Sequence, residues 1–170
     1  NEAESLMKAA KEAGASTSMD LGFDPFWALN HPDVPKRKTS ALNALKHVDY
    51  VFGNQKEFKS LTISETMEQA IEILKKNGAN IIVIHMGSKG ARIIKGDETI
   101  DIPVTKVEIK NPVGSGDTFD SVFIGSILAG KSLEDAGKLA GAVAALSISS
   151  QPGTKLSKDA IQDFISKNTK

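Results

Sequence analysis

The sequence predicts a three-layer α/β fold, in which helices cover both faces of a mostly parallel sheet. Helix-like and strand-like segments alternate along most of the 170 residues. Residues 65–77 form the clearest amphipathic helix, and residues 81–84 are an unbroken isoleucine and valine run. Such a run is typical of a strand buried on both faces of a parallel sheet. We expect residues 1–170 to form a single α/β domain.

Two helices of the first half have recognisable ends. Residues 2–13 place Leu6, Ala9, Ala10 and Ala13 on one face, and the following Gly14 ends the helix. In the helix over residues 65–77 the apolar stripe is Met67, Ala70, Ile71 and Leu74, and Gly78 closes it. Thr62 and Glu65 have the spacing of a capping box for its start. A further helix is predicted over residues 38–46, after a loop over residues 21–35.

The strands are shorter. Candidates are residues 15–20, 49–52, 81–84 and 106–109, together with a hairpin of residues 91–95 and 98–102. Gly53 is expected to permit a sharp turn after the second strand. Helices are predicted again over residues 115–129, ended by Gly130, and over residues 132–148, opened by Ser132. A turn at Pro152-Gly153 precedes a last helix over residues 158–166.

Composition excludes several classes of function. The formal net charge is zero, so no global field attracts nucleic acid or an anionic membrane. No cysteine occurs, which removes disulfides, thiolate catalysis and cysteine-ligated zinc. The three histidines lack the spacing of a metal site, and no apolar run approaches the roughly 20 residues needed to span a bilayer. We therefore expect neither nucleic acid nor a membrane among the partners.

Chemistry concentrates in the segment Gly114-Ser115-Gly116-Asp117, where a helix is about to begin. Two glycines around a serine allow a tight turn whose amide N–H groups, with the positive helix end, form an anion site. Phosphoryl transfer needs such donors, and Asp117 could accept a proton from an attacking hydroxyl. Taken locally, the string fits equally well a plain loop in which the aspartate caps a helix. It is neither a Walker A loop nor a dinucleotide fingerprint.

Residues 111–119, Asn-Pro-Val-Gly-Ser-Gly-Asp-Thr-Phe, resemble the signature of the ribokinase/PfkB carbohydrate kinases, in the variant similar to that of phosphosugar kinases. Residues 54–57, Asn-Gln-Lys-Glu, resemble the family's N-x-x-E motif. Residues 86–91 resemble its glycine turn over the nucleotide, and residues 133–153 its adenine-pocket helix and turn. Asp20 and Trp27 loosely match a further family stretch. The resemblance covers only the family's C-terminal half, so we expect an incomplete ribokinase-like sheet, lacking the N-terminal half with its lid, from a longer polypeptide.

The resemblance implies roles for individual residues. Asp117 would be the catalytic base, and the amides of Gly114, Ser115, Gly116 and Asp117 would form the anion hole. Asn54 and Glu57 would act on Mg²⁺, chiefly through water, although a turn cap and a surface glutamate explain the same residues without a metal. The nucleotide-binding positions would be Asn54, His85, Gly87, Ser88, Gly90, Ala140 and Ala144.

The resemblance implies ATP-dependent phosphorylation of a hydroxyl on a sugar, sugar acid or sugar phosphate. It implies ATP and Mg²⁺ as cofactors, allows a monovalent cation and a homodimer of the full-length protein, and implies a cytoplasmic location. Two alternatives stay open: a vitamin or nucleoside kinase of the same superfamily, and a nucleotide-binding pseudo-kinase. Asn111, His85, Asp120 and Val122 depart from the family pattern; the last three give the pseudo-kinase some support. We expect residues 1–170 alone to be inactive, because the substrate contacts would be incomplete.

Overall fold

A computed structural model describes residues 2–22, 31–151 and 153–168. The described helices are α1 (Glu2–Glu12), α2 (Val34–Ala44), α3 (Gln55–Thr62), α4 (Met67–Lys76), α5 (Ser115–Leu128), α6 (Leu133–Ser149) and α7 (Lys158–Asn168). The described strands are β1 (Ser18–Asp20), β2 (Tyr50–Asn54), β3 (Ile81–His85), β4 (Ala91–Lys95) and β5 (Glu98–Ile102). They form a five-stranded sheet in the order β1-β2-β3-β4-β5, flanked by helices, which confirms the predicted α/β class.

The chain divides into two compact units, Asn1–His85 with Ile94–Thr99 and Met86–Ile93 with Ile100–Lys170. The expectation of a single domain stays a prediction. None of the described helices combines the length and apolar character needed to cross a membrane.

The first unit is organised by three parallel strands. Tyr50 of β2 lies opposite Ser18 of β1 and Ile81 of β3, so the three strands run in register. The run predicted as a doubly buried strand is confirmed, since the exposed fraction of Ile81, Ile82, Val83 and Ile84 is 5% or less. The predicted stripe of α4 is also confirmed, with Ala70 and Leu74 fully buried. The strand buries all four predicted residues, and α4 buries Ala70 and Leu74 fully and Met67 and Ile71 in part.

The second unit is built on the packing of α5 against α6. The buried residues of α6 are Ala136, Gly137, Ala140, Ala142, Val143 and Ala145. Such small side chains allow close approach: a Cβ added at Gly137 would lie 2.7 Å from Ile102 Cδ1 and 2.8 Å from Ile93 Cδ1. Helix α6 thus meets β4 and β5 at a position where only glycine fits without displacing a neighbour.

Three expectations for the first unit are wrong. On α1, Leu6 is 67% exposed, and the partly buried positions are Ala3, Glu4, Met7 and Ala10. The capping box of α4 is formed by Thr66 and Gln69, because Thr62 ends α3 and its hydroxyl bonds Phe58 O. Gly53 makes no sharp turn but lies within β2, where a Cβ would approach Glu57 Oε2 to 3.2 Å.

The start of α2 and the strand predicted over residues 106–109 also differ from prediction. Helix α2 begins at Val34 rather than at residue 38. Pro35 is tolerated in its first turn, because proline lacks an N–H group and the first-turn N–H groups have no partner within the helix. Residues 106–109 form no strand; nearby, the amides of Lys110 and Asn111 both donate to Ile148 O at the end of α6, at 2.8 and 3.0 Å. Gly153 has a φ of 80°, as a turn requires, whereas Pro152 lies outside the described residues.

Candidate functional site

The loop before α5 has the conformation expected of an anion site. Gly114 occupies the N-cap position with φ 81° and ψ 8°, in the left-handed region that glycine adopts without strain. Asn111 Oδ1 accepts a hydrogen bond from Val113 N at 3.2 Å, which shapes the approach to Gly114. The backbone therefore turns into the helix at the position that the glycines predicted.

The first turn of α5 presents backbone donors. The helical ladder begins with Thr118 N, which donates to Gly114 O at 2.9 Å. The amides of Ser115, Gly116 and Asp117 precede that bond, so helix geometry offers them no acceptor within α5. Gly114 has no side chain to cap them. Three N–H groups and the positive end of the helix thus converge on one place, where negative charge is stabilised.

Two carboxylates follow this turn. Asp117 is exposed in the first turn of α5, where its carboxylate is accessible to a ligand. Asp120, one turn further, is only 8% exposed, so the second carboxylate noted in the sequence belongs to the interior. The rings of Phe119 and Phe123 flank it in sequence and stack with centroids 6.1 Å apart. Asp117 is therefore the one of the pair that solvent or substrate can reach.

Asn54 and Glu57 meet at the carboxyl end of β2. Asn54 Oδ1 accepts from Lys56 N at 2.9 Å and from Glu57 N at 3.1 Å, and Glu57 Oε2 accepts from Asn54 N at 2.7 Å. This is a complete capping box for α3. Both side chains thus have a structural task, and Glu57 Oε1 is the oxygen of the carboxylate that the capping box does not use.

His85 ends β3 beside Asn54. The two residues are partners in the parallel register of β2 and β3, and the His85 ring stacks on Phe52 with centroids 6.4 Å apart. Asp20 ends β1 in the same way, and its Oδ1 accepts from Gly22 N at 3.2 Å. Ligands of open α/β sheets bind outside the carboxyl ends of the strands. Asp20, Asn54 and His85 stand at those ends, whereas Trp27 lies outside the described residues.

The turn between β3 and β4 is built on two left-handed glycines. Gly87 has φ 57° and Gly90 φ 89°, and Met86 N donates to Gly90 O at 2.9 Å. A Cβ at Gly90 would lie 2.0 Å from Ile102 O, so the turn requires glycine there. Ser88 is exposed at the tip of the turn. The predicted turn is confirmed, and its nucleotide contacts stay a prediction.

The two predicted alanines of α6 differ in exposure. Ala140 is fully buried, whereas Ala144 is partly exposed on the next turn. Ala140 therefore packs inside the second unit, and Ala144 is the one that offers surface to a ligand. Asn54, Glu57 and His85 belong to the first unit, and the glycine turn, the Gly114 loop and α6 belong to the second.

The oxygen atoms of Asn54 and Glu57 are the kind of group that Mg²⁺ prefers. The described residues contain no group of three or more histidine, cysteine, aspartate or glutamate side chains that could enclose a metal ion. Mg²⁺ needs no such cage, because it retains several waters and is held by one or two carboxylates together with substrate phosphates. The oxygen of Glu57 left over by the capping box, with Asn54 beside it, fits that requirement through water.

The profile of the pfkB family carbohydrate kinases matches residues 2–160, which include the Gly114 loop, the capping box of α3, the glycine turn and α6. The chain belongs to this family. Among curated relatives, it is 34% identical over 115 residues to a ribokinase of Lactococcus lactis, covering 68% of this chain and 37% of that protein. It is 32% identical over 106 residues to a cytidine kinase of Thermococcus kodakarensis, covering 61% and 38%. The match thus spans less than half the length of these relatives.

Solved structures support the fold. A structure from E. coli assigned as ribokinase II, in complex with ATP and Mg²⁺, matches this chain with a TM-score of 0.81 and 23% sequence identity. The alignment covers 95% of this chain and 52% of that structure. The ribokinase-like fold predicted from the signature segment is therefore confirmed.

One contact at the site was not predicted. The hydroxyl of Thr118 donates to Gly114 O at 2.8 Å, beside the backbone bond from Thr118 N to the same oxygen. Threonine in a helix commonly bonds the carbonyl four residues back, so the i, i+4 spacing of Gly114 and Thr118 was the available signal.

Proposed function

We propose that this chain is the nucleotide-handling and phosphoryl-transfer part of an ATP-dependent kinase that phosphorylates a hydroxyl of a sugar, sugar acid or sugar phosphate. The observation that carries the proposal is the start of α5. There, left-handed Gly114 leads into three amides without helical acceptors, next to the exposed carboxylate of Asp117. Membership of the pfkB family, with its carbohydrate kinases, supports this assignment.

In this proposal Asp117 accepts the proton of the substrate hydroxyl as the hydroxyl oxygen bonds to the γ-phosphorus of ATP. The bond from that phosphorus to the β,γ-bridging oxygen breaks, and ADP leaves with the bond's electron pair. The amides of Ser115, Gly116 and Asp117 donate hydrogen bonds to the oxygens of the transferred group, and fixed donors of this kind need no reorganisation during the reaction. Asn54 and Glu57 would hold Mg²⁺ through water. When bound, Mg²⁺ supplies positive charge to the phosphate oxygens.

The remaining motifs would serve the nucleotide. His85, Gly87, Ser88 and Gly90 would approach the phosphates, and Ala144, with Ala140 beneath it, would border the base. A monovalent cation, a homodimer and a cytoplasmic location stay predictions.

A nucleoside kinase is the second candidate, favoured by the similarity to a cytidine kinase of Thermococcus kodakarensis. The two candidates share Asp117 and the Gly114 loop and differ in the acceptor. ADP release measured with a panel of sugars, sugar phosphates, nucleosides and vitamin alcohols separates them. Binding of ATP without turnover on the entire panel would instead indicate a pseudo-kinase.

The substitution Asp117→Asn tests the proposal in the natural polypeptide that carries this chain. Asparagine keeps the shape but cannot accept the proton, so turnover should fall by about 10²-fold or more while ATP affinity stays nearly unchanged. Asp159→Asn is the matched control, because Asp159 is also an exposed first-turn acid, on α7. Full turnover by the Asp117 variant would refute the role of this residue.

A further inference from the structure

We propose that Thr118 is a positioning residue for the anion site, and that its hydroxyl fixes the direction of the Ser115 N–H group. The proposal rests on the proposed function, because it assigns a task within the same phosphoryl-transfer site. The observation behind it is a carbonyl oxygen that accepts two hydrogen bonds from one residue. Gly114 O accepts from Thr118 N at 2.9 Å and from Thr118 Oγ1 at 2.8 Å.

The peptide unit explains why this matters. Gly114 O and Ser115 N–H belong to the same planar trans peptide, in which the two groups point in opposite directions. When the carbonyl oxygen points into α5 toward Thr118, the amide of Ser115 must point out of the helix start. Fixing the oxygen therefore fixes the amide, which is one of the three donors proposed to hold the transferred group.

This peptide needs an external restraint. Gly114 is left-handed, and a Cβ at this position would meet no atom within 4 Å. Gly114 thus has no side chain that limits rotation of the peptide that follows, and no neighbouring atom lies where a Cβ would be. A single backbone bond at a helix end frays easily, and the second bond from the Thr118 hydroxyl opposes that rotation. Thr118 is partly buried, so water competes less for the same oxygen.

The same helix contains a matched control. Ser121 Oγ donates to Asp117 O at 2.7 Å, which is the same bond to a carbonyl four residues back. The amide in that peptide unit is Thr118 N, which already donates a hydrogen bond to Gly114 O. Removing the Ser121 hydroxyl therefore removes an equivalent bond without freeing any amide of the anion site.

The test compares Thr118→Val, Thr118→Ser and Ser121→Ala in the natural polypeptide. Loss of a whole oxyanion donor costs about 10²- to 10³-fold in kcat, so a loosened donor should cost about 10-fold. We expect Thr118→Val to lower kcat by about that factor with little change in KM for either substrate. Thr118→Ser should restore the rate, and Ser121→Ala should keep it.

A second readout is independent of turnover. With the amide signals of Ser115 and Gly116 followed by NMR, inorganic phosphate should shift both in the wild type and shift Ser115 less in Thr118→Val. An unchanged kcat with unchanged phosphate shifts in Thr118→Val would overturn the proposal, as would equal losses in Ser121→Ala or failure of serine to restore the rate. Asp117→Asn measured in parallel separates the role of Asp117 as base from the role of Thr118 as positioning residue. Full activity of the Asp117 variant would refute the proposed base, and the phosphate shifts of the Ser115 and Gly116 amides would then test Thr118 alone.

Discussion

Asn54 and Glu57 cap the same helix reciprocally, with Asn54 Oδ1 accepting from Glu57 N at 3.1 Å and Glu57 Oε2 accepting from Asn54 N at 2.7 Å. The pair therefore has a structural explanation that needs no metal. The proposed role in holding Mg²⁺ uses the other carboxylate oxygen and the negative charge. The two roles can be separated, because glutamine can form the same capping box without the charge.

Glu57→Gln should keep most of the stability of the protein and weaken its response to Mg²⁺. The amide oxygen of the introduced glutamine can still accept from Asn54 N, so only the contribution of the negative charge at the helix start is lost, and the free energy of unfolding should fall by no more than about 1 kcal/mol. The Mg²⁺ concentration for half-maximal turnover should rise by about 10-fold. Urea unfolding and Mg²⁺ titration measure the two effects. Glu68→Gln, at an exposed first-turn position of α4, is the control, and an unchanged Mg²⁺ response in the Glu57 variant would leave only the capping role.

Features of the first unit that depend on neighbouring residues in the sequence could be predicted, whereas features that depend on tertiary packing could not. The Asn54–Glu57 spacing and the helix that follows a strand can be read from sequence, because a cap depends on residues three positions apart. The turn predicted at Gly53 is wrong. Glycine is favoured there because a Cβ would lie only 3.2 Å from Glu57 Oε2, and that close approach arises from the fold. The face of α1 was wrong for a similar reason: an alanine-rich helix has two weakly apolar faces, and only its packing partner selects one.

Asp49 links the start of β2 to α1. Its carboxylate accepts from Lys11 Nζ at 2.7 Å and from Thr17 N at 2.9 Å. Partial burial opposes ionisation, but the hydrogen bonds from Lys11 and Thr17 and the Lys11 charge outweigh it. The pKa of Asp49 is therefore lowered from its ordinary value. A lowered pKa contributes stability above the unfolded-state pKa of about 3.9, and that contribution is lost as the pH falls through the folded-state value.

Asp49→Asn should consequently destabilise the protein near pH 7 and have a diminishing effect in acid. Hydrogen bonds to a charged group contribute about 1.5–3 kcal/mol, and asparagine can keep part of that set, so a loss of about 1 kcal/mol is expected at neutral pH. The difference from wild type should start to shrink below about pH 4, where the unfolded carboxylate takes up its proton, and should go on shrinking as the pH falls towards the lower folded-state pKa. Urea unfolding from pH 3 to pH 7 checks this, and a difference constant with pH would contradict the ionic origin.

Ile63 ends α3 in a strained conformation. It has φ 53° and ψ 47°, and it is the one non-glycine residue with positive φ among residues 2–22, 31–151 and 153–168. A left-handed conformation costs an ordinary residue about 1–2 kcal/mol, and glycine normally occupies this position. The side chain is 82% exposed, so little burial offsets the strain.

Ile63→Gly should therefore stabilise the protein by up to about 1 kcal/mol, after the larger backbone entropy of glycine in the unfolded chain is subtracted. Thermal unfolding measures the gain. Ile63→Ala is the control, since it removes the exposed side chain but keeps the Cβ, and it should recover less. A stability loss with glycine would mean that the isoleucine side chain makes a contact worth more than the strain.

Gly137 and Gly141 test how closely α6 packs. A Cβ at Gly137 would lie 2.7 Å from Ile102 Cδ1 and 2.8 Å from Ile102 Cγ1, inside normal contact, whereas at Gly141 the nearest atom is 3.5 Å away. Sequence alone could not distinguish them, because both stand in the same alanine- and glycine-rich helix. Their difference arises from β4 and β5, which are distant in sequence.

Gly137→Ala and Gly141→Ala should act in opposite directions on stability. Alanine favours a helix over glycine by about 1 kcal/mol, and at Gly141 this gain should appear nearly in full. At Gly137 the isoleucine side chains must move, and overpacking costs about 1–3 kcal/mol, so a net loss of up to about 2 kcal/mol is expected. Urea unfolding of the two variants measures both signs. If both alanines stabilised the protein, the contact between α6 and Ile102 would be looser than described, since the same helix propensity acts at both positions and only the distance to Ile102 differs.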